Sequence, residues 1–140
     1  MASDHKLELL RGVPLFTECS KTNLTRIAKL VDDMDFPAGK VLTREGRTGD
    51  EFFIIVEGTV RVERAGRRID TLGAGDFLGE ISLIDHRPRT ATATCETPCR
   101  LLVLGHREFH TLLADSPGIS SAVLRSLAER LRALEPQATL

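Results

Sequence analysis

The stretch from Lys40 to Leu104 constrains the fold most, because it consists of short β-prone segments separated by closely spaced glycine-bearing turns. The segment from Phe52 to Val56 is continuously apolar, and the next one alternates, with Val60 and Val62 on one face. We count about seven or eight such segments. Parallel strands need long crossover helices between them, and no helical pattern interrupts this stretch. The pattern therefore predicts an antiparallel β-roll or barrel.

Helical patterns precede and follow the predicted roll. A short helix around residues 7–10 ends near Gly12, and Ser20 is a predicted N-cap for a second helix. That helix has an apolar face with i, i+3, i+4, i+7 spacing, formed by Leu24, Ile27, Ala28 and Val31. Beyond Gly105 the pattern predicts a short helix at 107–114 and an amphipathic helix at 119–134, which ends before Pro136.

The length of 140 residues fits one domain. We predict an α+β fold that is mainly β: an antiparallel β-roll or jelly-roll barrel flanked by helices at both ends. The expected division is N-terminal helices at residues 1–34, the roll at 35–104 and C-terminal helices at 105–140. The sequence has no internal repeat, and no linker divides it.

Composition argues against several classes of protein. The chain has 19 Lys and Arg against 20 Asp and Glu, so it lacks the basic bias of a dedicated nucleic-acid binder. No run of 18 apolar residues is present, so we expect no membrane span. The first residues lack the apolar core of a signal peptide, and the expected location is the cytoplasm.

The cysteines and histidines do not predict a metal site. The three cysteines are an odd number, and Cys95 and Cys99 have no second pair with which to form a metal site. We interpret them as buried or bystander thiols. The histidines show no ligand spacing and are expected on the surface: His5, His86, His106 and His110.

Residues 79–91 carry the chemistry of an anion site. Gly79 permits a close approach of the backbone, and a short helical turn at 80–83 would present unpaired N–H groups to an anion. Ser82 adds a hydroxyl group, and Arg89 adds a planar cation that suits two phosphate oxygens. Pro88 restricts the residue before it to extended geometry, and Thr90 adds another hydroxyl group.

Glu80 is the unexpected member of this set, because a carboxylate repels phosphate. It fits the site if it accepts a hydrogen bond from a hydroxyl group beside the phosphate, as the ribose 2′-OH of a nucleotide would supply. The set of donors and this acceptor therefore indicates a ribose phosphate rather than a bare phosphate.

Leu78-Gly79-Glu80-Ile81-Ser82-Leu83, followed by Arg87-Pro88-Arg89-Thr90-Ala91-Thr92, resembles the phosphate-binding cassette of the cyclic nucleotide-binding domain family. The resemblance extends to the loop at 45–50, to the hairpin at 52–62 and to the order of the helices, so it covers nearly the whole chain. Leu78 replaces a frequent aromatic residue of the family, a departure that affects packing more than ligand contacts.

The resemblance implies a ligand and a role for each site residue. The ligand would be cAMP or cGMP, with no metal or other cofactor, and Glu80 would bind the ribose while Arg89 binds the cyclic phosphate. The implied ribose and phosphate contacts are Gly79, Glu80, Ile81, Ser82, Arg89, Thr90 and Ala91. In such domains the last helix covers the base, and the positions expected near the base are Val60, Leu72, Arg125 and Ala128.

Thr90 bears on the choice of base. Its hydroxyl group resembles the one that contacts guanine in eukaryotic cGMP sites, but Ser or Thr there also accompanies cAMP in bacterial-looking domains. We favour cAMP over cGMP.

The resemblance implies a sensor module that changes the position of its terminal helices and acts on an unidentified protein effector. The alternative is an interaction domain with the same fold that binds no nucleotide and acts through protein contacts. An enzyme is not expected, because no nucleophile or metal cluster accompanies the cassette.

Three further features can be interpreted either as purely structural or as functional. Arg89 alone would be read as a salt-bridge partner of Glu80 or Asp85. The last helix fits core packing, a homodimer, or both at once. The hairpin arginines fit a solvated face better than a nucleic-acid patch, because Glu63 and Asp70 are interleaved with Arg61, Arg64, Arg67 and Arg68.

Overall fold

The computed structural model describes residues 2–13, 16, 19–79 and 88–134. Within them the helices are α1 (Ala2–Arg11), α2 (Lys21–Leu30), α3 (His106–Asp115) and α4 (Pro117–Leu134). The strands are β1 (Asp32–Phe36), β2 (Val41–Thr43), β3 (Glu51–Glu57), β4 (Val60–Arg64), β5 (Arg67–Leu72), β6 (Phe77–Leu78), β7 (Thr92–Cys95) and β8 (Cys99–Gly105).

The strands form two four-stranded sheets. One has the order β1-β8-β3-β6 and the other β2-β7-β4-β5, and every pair of neighbours is antiparallel. The predicted fold class, an antiparallel β-roll with helices at both ends, is confirmed.

The continuous apolar run of β3 has a structural reason. Successive side chains of a strand point to opposite faces. Phe52 and Ile54 belong to the core between the first sheet and the helices, and Phe53 and Ile55 belong to the core between the two sheets. Since both faces of β3 are buried, no polar alternation is required.

The helices supply the outer layer of the first core. Residues Leu24, Ile27 and Ala28 of α2 are buried there, on the apolar face predicted from the sequence. The hydroxyl group of Ser20 accepts a hydrogen bond from the N–H of Asn23 at 3.1 Å, which confirms the predicted N-cap. From α3 and α4 the same core receives Phe109, Leu112 and Ile119.

Strand β1 differs from the sequence prediction, which began the β-segments at Lys40 and assigned residues 1–34 to helices. Its sequence, Asp-Asp-Met-Asp-Phe, has no apolar alternation and a poor intrinsic strand propensity. The strand exists because it pairs with β8 over its full length and because Arg100 of β8 forms a bidentate ion pair with Asp33, at 2.9 and 2.6 Å.

No helix within the described ranges is long and apolar enough to cross a membrane.

Candidate functional site

The Arg89 side chain connects the two sheets of the roll. It belongs to the segment that leads into β7, yet its guanidinium group donates to the backbone of the other sheet. Nη1 donates to the carbonyl of Gly79 at 2.9 Å, and Nη2 donates to the carbonyl of Glu51 at 2.7 Å. Only 6% of the residue is exposed, so Arg89 is a buried cation and not a surface side chain.

The backbone of Arg89 also forms hydrogen bonds, on both its N–H and its carbonyl group. Its N–H donates to the carbonyl of Arg47 at 2.8 Å, and its carbonyl accepts from the N–H of Gly46 at 2.9 Å. Two residues later, the carbonyl of Ala91 accepts from the hydroxyl group of Thr43 at 3.1 Å. The segment before β7 is therefore fastened to the β2–β3 connection on one side.

Two glycines leave room for the guanidinium group. A Cβ atom at Gly49 would lie 2.4 Å from Nε of Arg89, and one at Gly79 would lie 2.7 Å from Nη1 and 2.6 Å from the carbonyl oxygen of Glu51. Gly79 also has φ = +97°, which disfavours any residue with a side chain. Both positions therefore require glycine for the observed placement of Arg89.

The structure brings four of the predicted contact residues together. Gly79 and Arg89 are joined by a hydrogen bond, and Thr90 and Ala91 follow directly in the chain. Thr90 is exposed, and its carbonyl accepts a hydrogen bond from Nε of Arg64 at 3.0 Å. Three further predicted contacts lie outside the described residues: Glu80, Ile81 and Ser82.

The positions expected near the base fall into two groups. Val60 and Leu72 are paired partners on β4 and β5; Val60 is fully buried in the core between the sheets, and Leu72 packs against that core. Arg125 and Ala128 are exposed on α4. Their roles at the base stay predictions.

Sequence reasoning missed two participants, Gly49 and Glu51. Gly49 acts through the absence of a side chain. Its residue type indicates a turn in the loop at 45–50, but not that the guanidinium group of Arg89 packs against it. Glu51 acts through its backbone carbonyl, which is the same in every residue type, so no sequence signal exists for it.

Groups of three or more metal-ligating side chains do not occur among the residues that the structure describes. Two of the histidines, which the sequence analysis treats as showing no ligand spacing, do lie close together: His106 and His110 are one turn apart on α3, and their ring centroids are 4.5 Å apart.

A permanently charged, planar guanidinium group is held in a buried place by hydrogen bonds to carbonyl groups, next to a glycine with positive φ. Burial reduces screening by water and so strengthens the attraction of the guanidinium group for an anion, and its planar set of donors suits two oxygens of a phosphate.

Several known proteins resemble this chain in sequence. The sequence model of a family described as the cyclic nucleotide-binding domain matches residues 33–116. A cyclic nucleotide-gated potassium channel of Rhizobium etli is 37% identical over 123 residues, which are 88% of this chain and 34% of the channel. A CRP-like cAMP-activated global transcriptional regulator of Mycobacterium tuberculosis is 34% identical over 130 residues, covering 89% of this chain and 58% of the regulator.

Solved structures give the same result for the fold. The catabolite activator protein of Thermus thermophilus superposes with a TM-score of 0.80 and 27% identity, over 89% of this chain and 61% of that protein. The chain thus spans between a third and three fifths of the length of these relatives.

Proposed function

The chain belongs to the cyclic nucleotide-binding domain family, and from that premise we propose that it binds a 3′,5′-cyclic nucleotide at Arg89. The observation that carries the proposal is the buried guanidinium group between Gly49 and Gly79. A cation held in this way suits one small anion, and a cyclic phosphate carries a single negative charge. Glu80, Ile81 and Ser82 are proposed to complete the ribose and phosphate contacts.

Of the two common cyclic nucleotides, we favour cAMP. The Thermus and mycobacterial relatives are a catabolite activator and a cAMP-activated regulator, which supports this choice. Thr90 supports cGMP only weakly. Thr90 is exposed next to Arg89, and a hydroxyl group at this position would be compatible with either base.

We propose a regulatory role without catalysis. Binding would shift α4 towards the base, with Arg125 and Ala128 near it, provided that the nucleotide has a higher affinity for one arrangement of this helix. An effector protein would then respond, or a second copy of the chain would pair through α4.

The proposal is tested by calorimetric titration of the chain with cAMP and with cGMP. We expect saturable binding of both, tighter for cAMP. Tighter binding of cGMP would reverse the choice of base, and binding of neither would favour the alternative, an interaction domain without a nucleotide.

The ribose contact has a separate test in Glu80→Gln. If Glu80 accepts a hydrogen bond from the 2′-OH, this substitution weakens cAMP more than 2′-deoxy-cAMP. Equal losses for the two nucleotides would remove the proposed role of Glu80.

A further inference from the structure

Two turns with the same residue pattern flank the segment that contains Arg89. Arg44-Glu45-Gly46-Arg47 follows β2, and Arg64-Ala65-Gly66-Arg67 joins β4 to β5. Strand β7 lies between β2 and β4 in its sheet, so both turns are adjacent to the residues that lead into β7. The sequence pattern alone does not bring these turns together, because they are 20 residues apart.

Hydrogen bonds fix both turns to that segment and to each other. The N–H of Gly46 donates to the carbonyl of Arg89 at 2.9 Å, and Nε of Arg64 donates to the carbonyl of Thr90 at 3.0 Å. The N–H of Ala65 donates to the Glu45 carboxylate at 2.9 Å. The two turns therefore lie against residues 89–90 and against each other, and we call these two turns together the basic rim.

The four arginines of the rim are exposed, and within the described part of the chain none of them forms an ion pair: Arg44, Arg47, Arg64 and Arg67. Four other arginines, in contrast, have a carboxylate partner: Arg26 pairs with Asp115, Arg61 with Glu63, Arg68 with Glu96 and Arg100 with Asp33. Among the described residues, the rim thus brings four guanidinium groups without an ion-pair partner onto two adjacent turns.

The charge is unevenly divided between the rim and the rest of the chain. With Glu45 included, the two turns have a net charge of +3, so the remaining residues carry −4 of the total of −1. Asp50, which is exposed in the neighbouring loop, reduces the local excess but does not cancel it. A positive potential of this kind attracts small anions over about 10 Å at moderate ionic strength.

We propose that the basic rim raises the association rate constant of the anionic nucleotide by drawing it towards Arg89. This inference rests on the proposed function and adds a kinetic role for residues that would not contact the bound ligand. Arg89 would hold the phosphate and set the dissociation rate, whereas the rim would act before contact. Charges outside a binding site change association rates and their salt dependence far more than dissociation rates.

The test removes one arginine from each turn. Arg44→Gln/Arg67→Gln is chosen because these two side chains make no hydrogen bond to residues 89–91, in contrast to Arg64. The matched control is Lys21→Gln/Lys29→Gln, which removes the same charge from the exposed face of α2. That helix packs on the other sheet, away from the rim.

The measurement is stopped-flow binding of cAMP carrying a fluorophore on adenine C8. At about 20 mM salt we expect the rim variant to associate about threefold more slowly, and at about 500 mM salt the difference should disappear. The dissociation rate constant should be unchanged in the rim variant, and both rate constants should be unchanged in the control.

Three outcomes would overturn the inference while the wild-type chain still binds. The rim variant could associate as fast as the wild type, the control could show the same fall in association rate constant as the rim variant, or only the dissociation rate constant of the rim variant could change. If the wild-type chain bound neither the labelled nor the unlabelled nucleotide, the proposed function would be refuted, and the kinetic role with it.

Discussion

Gly49 lies against the guanidinium group of Arg89 so closely that a Cβ atom at residue 49 would stand 2.4 Å from Nε and 2.6 Å from Nη2. The obstructed atoms are the far end of a flexible side chain. A substitution at Gly49 is therefore accommodated by moving Arg89, not by moving the backbone.

Gly49→Ala should consequently impair binding more than folding. Displacement of Arg89 weakens its charge-assisted hydrogen bonds, so we expect a loss of about tenfold in nucleotide affinity with little change in the unfolding temperature. Titration and thermal unfolding measure the two effects. Gly73→Ala is the control, since a Cβ atom there meets nothing within 4 Å. Unchanged affinity in Gly49→Ala would show that the position of Arg89 does not matter for binding.

Phe52 is predicted to be a main support of the helix-side core. Its ring centroid lies 5.5 Å from that of Phe77 and 5.0 Å from that of Phe109, so it joins β3, β6 and α3. Phe52→Ala should lower the free energy of unfolding by about 3–5 kcal/mol, measured by denaturant titration. Met34→Ala, at a residue 41% exposed, should have little effect, and similar losses in both would contradict this role.

The ion pair between Asp33 and Arg100 predicts a pH dependence of stability. The hydrogen bonds from Arg100 lower the pKa of Asp33 below 3.8, although partial burial opposes the shift. A carboxyl group with a lowered pKa in the folded state stabilises the fold above pH 3.8 and loses this contribution as the pH falls through the lowered value. Asp33→Asn should therefore unfold a few degrees lower at pH 7, with a difference that shrinks below pH 3.8. A difference independent of pH would exclude this origin.

The cysteines should differ in reactivity. Burial, together with a hydrogen bond to Cys99, raises the pKa of Cys95 to about 12, so this thiol stays protonated at neutral pH. Cys99 is also buried, whereas Cys19 is half-buried. A disulfide reagent added to the native chain should modify Cys19 first, and Cys19→Ser should abolish the fast phase. Rapid modification of Cys95 would contradict its burial.

The sequence predicts best those parts of the fold that depend on local patterns. Glycine turns and apolar runs indicated the roll, and Ser20 indicated the start of α2. Strand β1 was missed because Asp33 depends on Arg100, which is 67 residues away in the chain. The two-residue strand β6 is too short to have any pattern.

The same distinction applies to the candidate site. Arg89 and Gly79 were predictable from their residue types, but the carbonyl of Glu51 was not. The hairpin arginines were grouped by sequence, whereas the structure separates them. Arg61 and Arg68 pair with carboxylates. Arg64 and Arg67 belong instead to the basic rim, together with the turn at 44–47, which the order of the strands places nearby.

The central claim is that the buried guanidinium group of Arg89 is the counter-charge of a cyclic phosphate. Calorimetric titration with cAMP of the wild-type chain, Arg89→Ala and Arg89→Lys tests it, with the exposed Arg107→Ala as the control. We expect Arg89→Ala to lose about 2–5 kcal/mol of binding free energy, Arg89→Lys to lose much of that, and the control to bind like the wild type. Wild-type affinity in Arg89→Ala would contradict the claim.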